Sequence, residues 1–263
     1  MKIRSGAKRL IDTAQQSFQP ALIAEIIRCK NDPAYFIQKY LKVRTPTGLS
    51  KFNFYSYQDR VLSSAHEFNR VLIKTPRQSG LTTLMSAYAV WHSVFNTNET
   101  IIVACPKFVQ AVNAAAIFTS LYDQVPNWMA SKIKVRQKTF VELENGSRVK
   151  FSAASESLAK GISFSLLLLS DIALYDKRVA EAMWDSIAPG LFSTAAKLIA
   201  WSTPVATDDL FSTLWSKADS LSMERITIDW QELPHATDDW AERIQETLGM
   251  AVWKSEYLCE LNK

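Results

Sequence analysis

Hydrophobic positions along the chain follow two patterns, one with a spacing of three to four residues and one of short continuous runs. The first spacing predicts helices at 7–42, 56–68, 81–94, 108–123 and 208–218, with others starting at 180 and lying within 238–261. The apolar runs predict strands at 71–74, 101–105, 164–170 and 197–202, and a weaker edge strand at 223–230. This alternation is typical of a doubly wound α/β fold, in which helices cover both faces of a mainly parallel sheet.

Turn signals divide these patterns further. Asn31, Asp32 and Pro33 break the first helical stretch in two, with Asp32 as the cap and Pro33 in the first turn of the second helix. Residues 44–54 read as a loop, and Glu144-Asn145-Gly146 predicts a hairpin turn between strands at 134–142 and 147–152. We therefore expect a helical N-terminal extension at 1–50 and an α/β domain at 51–263.

Composition and charge narrow the function classes only slightly. Hydrophobic residues make up 48% of the chain and charged residues 21%, which is ordinary globular composition. No secretory signal or membrane-length apolar segment is visible, so we expect no membrane partner. The three cysteines and three histidines are widely separated, which argues against a metal site built from them. A net charge of +4 is compatible with DNA as a partner but does not require it.

Residues 71–83, VLIKTPRQSGLTT, resemble a phosphate-binding loop of the form G-x-x-x-x-G-K-[ST] between a strand and a helix. Thr75 stands at the first glycine position, Gly80 at the second, Leu81 at the lysine position and Thr82 at the hydroxyl position. The backbone of the loop is expected to bind a nucleotide phosphate through a set that also includes Arg77, Gln78, Ser79 and Thr83. The missing lysine normally meets the β- and γ-phosphates, so its loss affects catalysis directly.

Three other segments are expected at the same sheet edge, because ligands of such sheets bind at the carboxyl ends of the strands. Tyr57-Gln58 lies one helix upstream of the loop, and its glutamine amide is a candidate reader of an adenine edge. The apolar strand 166–171 ends in Ser170-Asp171. Ser202-Thr203-Pro204 ends the next core strand.

On these residues the chain resembles the ATPase domain of the tailed-phage large terminase, the motor that drives DNA into empty capsids. The resemblance runs from about Tyr57 to Leu261 and includes YQ, PRQSGLTT, ELENGSRVKFSAASESLAKGISFSLLLLSDIAL and the coupling motif STP. It implies a P-loop NTPase fold with ATP and Mg²⁺ as cofactors. It further implies double-stranded DNA, portal or other phage motor proteins and a ring of identical subunits as partners. The expected location is the cytoplasm of an infected bacterium or the virion.

The resemblance also shows a change in the acidic (Walker B) strand. Without gaps, the family's Asp-Glu pair falls on Ser170-Asp171, so a serine replaces the magnesium aspartate and Asp171 replaces the glutamate that polarises water. A shift of one residue keeps Asp171 as the magnesium aspartate and puts Ile172 at the glutamate position. Either alignment removes one acid and leaves Thr82 and Asp171 as the expected metal ligands.

Several residues have two open interpretations. Lys74, three residues before Arg77, either replaces the loop lysine or is a solvated residue at the end of its strand. Arg77 matches the family's loop arginine and either meets the γ-phosphate or forms a surface salt bridge. Tyr57 stacks on a base or merely packs, and Ser202 and Thr203 either sense the γ-phosphate or simply end a strand.

Two functions follow from this reading. The first is a packaging ATPase domain with an altered nucleotide site, in which Asp171, Arg77 and Lys74 are the catalytic candidates. The alternative is a catalytically inactive relative with a structural or regulatory role in a phage particle or motor; a helicase-like DNA-binding module is a third and weaker option. The resemblance reaches the end of the chain, so no nuclease domain is expected within it.

Overall fold

The computed structural model describes residues 20–45 and 48–260 of the chain. Its centre is an eight-stranded sheet with the strand order β10-β3-β9-β8-β4-β7-β6-β5. The strands of this sheet are β3 (Arg70–Lys74), β4 (Thr100–Cys105), β5 (Ile133–Gln137), β6 (Phe140–Leu143), β7 (Arg148–Ala153), β8 (Leu166–Ser170), β9 (Lys197–Ser202) and β10 (Glu224–Thr227). The six strands from β10 to β7 are mutually parallel, and β6 and β5 add an antiparallel edge.

Helices cover both faces of this sheet. Helix α1 includes the helical residues 20–31, and the others are α2 (Pro33–Tyr40), α3 (Ser56–Glu67), α4 (Leu81–Phe95), α5 (Phe108–Tyr122), α6 (Lys177–Ser193), α7 (Leu210–Ser216), α8 (Asp238–Leu248) and α9 (Met250–Glu256). One buried cluster joins α1–α5 to one face, and a second joins α6 and α7 to the other. The predicted α/β fold with a mainly parallel, doubly covered sheet is confirmed. Within the described ranges, no helix is long and apolar enough to cross a membrane.

The N-terminal residues that the structure describes pack into the core of the α/β domain. Asp32 caps α2 as predicted, accepting a hydrogen bond from the Tyr35 amide at 2.8 Å. Trp91 of α4 donates its indole N–H to the Cys29 carbonyl at 2.8 Å, and Phe36 lies in the same buried cluster. Residues 7–19, part of the first predicted helical stretch, lie outside the described residues. The domain boundary at residue 50 stays a prediction.

Two local predictions were wrong. The stretch read as a loop contains a hairpin of β1 (Lys42–Thr45) and β2 (Gly48–Lys51), which are paired antiparallel. Both strands are exposed or half-exposed, so no alternation of buried and polar positions marks them in the sequence. The strand predicted at 134–142 is instead two strands, β5 and β6, which reverse between Gln137 and Phe140 without a glycine or proline.

The predicted turn at Glu144-Asn145-Gly146 joins β6 to β7 and also anchors the end of α4. The Asn145 side chain donates to the carbonyls of Ser93 and Asn96 at 2.9 and 3.1 Å. Gly146 has a φ of +83°, and a Cβ there would lie 2.2 Å from the Asn98 Oδ1. Because this turn needs both a left-handed residue and a close approach, only glycine fits it.

Lys197, the first residue of β9, caps the carboxyl end of α3. Its ammonium donates to the carbonyls of Ala65, His66 and Phe68 at 3.0, 3.0 and 2.8 Å. The last carbonyls of a helix have no partner within the helix, and a positive charge there also interacts favourably with the helix dipole. This contact joins the helix that carries Tyr57-Gln58 to the central sheet.

We predict that Lys197→Met destabilises the protein by about 1–3 kcal/mol, because three carbonyls lose a charged donor. Urea unfolding followed by circular dichroism measures the change in the free energy of unfolding. The control is Lys160→Met, at an exposed lysine outside the helices and strands, which should leave that free energy within about 0.5 kcal/mol of wild type. Equal stabilities for the two variants would contradict the capping role.

Candidate nucleotide-binding site

A cavity of about 320 Å³ lies at the carboxyl ends of β3, β9 and β8, which are neighbours in the sheet. The residues that line it come from the predicted loop, the ends of these strands, the start of α5 and the end of α9. They are Thr75, Pro76, Arg77, Gln78, Ser79, Gly80, Leu81, Thr82, Gln110, Asp171, Leu174, Trp201, Ser202, Thr203, Val205 and Glu256. The structure therefore brings most of the predicted site residues together around one cavity.

The loop between β3 and α4 has the backbone shape of an anion site. Gln78 and Gly80 adopt left-handed conformations with φ of 64° and 72°, and Gly80 is the N-cap of the 15-residue helix α4. Left-handed residues in a turn direct successive N–H groups to one side, and the helix N-terminus adds a partial positive charge. A Cβ at Gly80 would lie 3.2 Å from the Gln58 Nε2, so the loop also fits closely over α3.

Tyr57 and Gln58 support this loop from below. The Tyr57 hydroxyl and the Gln58 amide both donate to the Ser79 carbonyl, at 2.8 and 3.3 Å. Tyr57 is 1% exposed, and neither side chain lines the cavity. Burial leaves no ring face free for a base, which favours the packing interpretation of Tyr57. Adenine reading by Gln58 stays a prediction.

Residues Ser202 and Thr203 at the end of β9 hold the start of the loop. The Ser202 carbonyl accepts from the Thr75 amide at 3.1 Å, and the Thr203 hydroxyl donates to the Thr75 carbonyl at 2.8 Å. The Ser202 hydroxyl accepts from the Ala173 amide at 3.1 Å, just beyond Asp171. The two residues therefore connect the loop to the end of β8. Pro204 is buried and does not line the cavity, and sensing of a γ-phosphate stays a prediction.

Asp171 directly follows β8 in a left-handed conformation with φ of 50° and lines the cavity. Its carboxylate accepts from the Ser170 hydroxyl at 2.9 Å. Burial raises the pKa of the Asp171 carboxyl above its ordinary value, and the Ser170 hydrogen bond and the nearby Arg77 charge oppose that rise. Ile172 is fully buried in the core, so Asp171 is the one acid that this strand end presents to the cavity.

Thr82 lines the same cavity as Asp171, as expected for the two predicted metal ligands. Hydroxyl and carboxylate oxygens are the ligands that Mg²⁺ prefers, and an adjacent cation would offset the burial of the carboxylate. The donor set therefore fits a magnesium ion bound together with phosphate. Thr83 lines a different cavity, with Lys42 and Arg44 of β1.

Positive charge is scarce at the site. Leu81 is 2% exposed and belongs to the core cluster beneath the loop. The Lys74 ammonium lies 5.2 Å from the centre of the Trp215 ring and is not among the groups that line the cavity. Arg77 is the only basic residue among the described residues that line the cavity, and it faces two acids, Asp171 and Glu256.

Two polar residues of the cavity were missed from the sequence. Gln110 comes from the first turn of α5, where its side chain accepts from the Lys107 amide at 3.0 Å. Glu256 comes from α9, some 180 residues after the loop, and forms an ion pair with Arg77. Only the tertiary arrangement brings these residues to the site, so no local motif could have shown them.

The loop, the helix that follows it and the adjacent strand ends define a P-loop-like α/β domain. The family described as terminase large subunit, T4likevirus-type, N-terminal matches residues 72–262, which is most of the chain. The chain belongs to this family.

Solved structures agree on the fold. The large terminase of bacteriophage HK97 is 16% identical with a TM-score of 0.70 over 88% of this chain and 55% of that protein. The ATPase domain of the Thermus phage P74-26 large terminase is 15% identical, with a TM-score of 0.63 over 77% of this chain and 93% of that domain. A large terminase from a thermophilic bacteriophage, in complex with ADP, is 15% identical with a TM-score of 0.60 over 79% and 53%. This chain thus spans about half the length of the two longer terminases.

The raised pKa of Asp171 predicts a specific pH dependence of stability. A folded state with a raised carboxyl pKa binds more protons than the unfolded chain, so its contribution to stability falls as pH rises from the unfolded to the folded pKa. We expect Asp171→Asn to be more stable than wild type at pH 7, with a smaller difference at pH 4. Urea unfolding of both proteins at the two pH values measures this change.

Asp185→Asn is the matched control, because Asp185 is an exposed aspartate on α6. Its effect on the free energy of unfolding should not differ in the same way between pH 4 and pH 7. An equal gain for Asp171→Asn at both pH values would show that charge burial is not the cause.

Proposed function

We propose that this chain acts as the ATPase-type domain of a viral DNA-packaging motor, with a nucleotide site that binds ATP and Mg²⁺ but hydrolyses ATP slowly. The observation that supports it is the phosphate loop, with Gln78 and Gly80 left-handed at the start of α4, facing Thr82 and Asp171 in one cavity. Membership of the terminase large-subunit family supports the motor assignment.

In this proposal, the backbone N–H groups of the loop bind the β- and γ-phosphates, and Arg77 supplies the one side-chain positive charge. Thr82 and Asp171 hold Mg²⁺, which, when bound, neutralises phosphate charge. Thr203 and Ser202 keep the loop in register with the end of β8, so they position the residues that touch phosphate. These roles use the contacts that the loop and the two strand ends make with one another.

Slow hydrolysis follows from the charge content of the cavity. Phosphoryl transfer depends almost entirely on positioning and charge neutralisation. A P-loop lysine is replaced by buried Leu81, and one of two expected acids by Ser170. Losing both groups lowers the rate by roughly 10²- to 10⁵-fold, since each removes transition-state stabilisation.

The partners of this domain follow from the same proposal. Double-stranded DNA is the substrate that is moved, and portal or other motor proteins, with further copies of this chain in a ring, form the machine around it. A nuclease activity, where the motor needs one, is supplied outside residues 1–263. The motor works in the infected bacterium or attached to the virion.

The second candidate function is a catalytically inactive relative with a structural or regulatory role. The position of Lys74 favours it, because its ammonium lies against Trp215 rather than in the cavity. Leu81 also packs into the core, so no lysine of the described chain reaches the loop cavity. The two candidates differ in whether nucleotide binds at all.

We predict that Leu81→Lys tightens ATP binding by roughly 10- to 100-fold, because it adds one charge-assisted contact to phosphate. Residue 81 lines the cavity, so a lysine stem packed in the core can extend its ammonium to the loop. Combining it with Ser170→Asp should raise ATP turnover above that of wild type. Calorimetry with Mg-ATP and phosphate release, with and without duplex DNA, measure both effects.

Leu81→Met is the matched control, since it keeps a buried apolar side chain of similar volume and adds no charge. Absence of nucleotide binding in wild type and in Leu81→Lys, with both proteins folded, would refute the proposed site and support the inactive alternative.

We predict that Lys74→Ala changes ATP affinity less than about twofold, because the Lys74 ammonium lies over Trp215 and outside the cavity. Lys217→Ala, at an exposed lysine close to Trp215, controls for the loss of one positive charge. Both variants are titrated with Mg-ATP beside wild type. A tenfold loss in Lys74→Ala alone would show that this lysine turns towards the phosphates and replaces the missing one.

A further inference from the structure

The last helix of the domain is bonded to the phosphate loop at one residue of each. The Arg77 amide donates to the Glu256 carbonyl at 3.1 Å, and the Arg77 guanidinium forms an ion pair with the Glu256 carboxylate. Both residues line the cavity. The loop is therefore joined through backbone and side chain to a helix that follows it by about 180 residues.

An aromatic cluster determines where Glu256 lies. Trp253 and Tyr257, on either side of Glu256 in the sequence, stack with ring centres 5.0 Å apart. Trp230 and Trp240 complete the cluster, with ring centres 5.0 and 5.9 Å from that of Trp253. Trp253 and Tyr257 are buried, so α9 cannot shift locally without exposing aromatic surface.

The position of the Glu256 carboxylate is one that an anionic ligand also needs. Arg77 carries the only positive side-chain charge among the described residues lining the cavity, and its side chain is 58% exposed. A guanidinium binds carboxylate and phosphate through the same planar donors. A phosphate that reaches Arg77 must therefore share or replace the contact with Glu256.

We propose that Glu256 acts as an internal competitor of phosphate for Arg77, so that a di- or triphosphate in the cavity releases the carboxylate and loosens the tie between α9 and the loop. This regulation rests on the proposed function of the cavity as a nucleotide site. It gives the closing helices a direct response to site occupancy, through a single ion pair.

The first test uses inorganic tripolyphosphate, which carries the charge of a nucleotide but no base. Glu256→Gln keeps the size of the side chain and removes the competing charge. Because an exposed ion pair contributes little, Glu256→Gln should bind tripolyphosphate about two- to fivefold more tightly than wild type. Glu246→Gln, at an exposed acid of α8, makes the same change in net charge and should bind as wild type does.

The second test needs no ligand. Amide hydrogen exchange of α9 should be faster in Glu256→Gln than in wild type or Glu246→Gln, and tripolyphosphate should accelerate it in wild type. Unchanged α9 exchange, or equal tripolyphosphate affinity in the two glutamine variants, would overturn the competition.

The two tests also separate this inference from the proposed function. Failure of tripolyphosphate and of ATP to bind any of the folded proteins would refute the nucleotide site itself and the competition with it. Binding of ATP by all three proteins with equal affinity would refute the competition alone.

Discussion

The insertion of β9 between β3 and β8 is the constraint on which the cavity depends. Parallel pairing sets Lys74 opposite Ser202 on one side of β9, and Ser170 opposite Trp201 on the other. The three strands consequently end at one level, and the chain after each of them enters the cavity. The bond from the Thr75 amide to the Ser202 carbonyl extends this pairing by one residue into the loop itself. A one-residue slip of β9 would separate the loop from Asp171, whatever their side chains.

Within this frame, the charge of the site is set by few residues. An ordinary phosphate site balances the ligand with fixed positive groups, whereas here the side chains that line the cavity bring one cation and two acids. The backbone amides and the dipole of α4 remain, and they do not depend on side-chain identity. The cavity therefore keeps the geometry of phosphate recognition while most of its side-chain electrostatics has changed. Its partly buried Asp171, with a raised pKa, shows the cost of an acid in such a place.

How much the sequence could predict depends on whether an element has a buried face. Strand β9 was predicted at its observed bounds because all of its interior residues are buried and apolar. The exposed hairpin of β1 and β2 has no such face and was read as a loop. At the site, the loop and the ends of β8 and β9 are local features that follow the strand pattern. Glu256 and Gln110 reach the cavity through tertiary packing alone, so the ion pair with Arg77 could not be foreseen.

The loop keeps its shape without its lysine because the core holds it from below. Tyr57 and Gln58 both donate to the Ser79 carbonyl, and Thr203 and Ser202 bond to the two sides of Thr75. None of these contacts involves a group that would touch the γ-phosphate. Buried Leu81 adds apolar contacts at a position where a lysine would have to extend its charge into the cavity. Shape and chemistry are thus carried by different residues of the same loop, and replacing the chemical group leaves the supporting contacts intact. This separation explains how a chain can retain the terminase fold around a site whose charges have been altered.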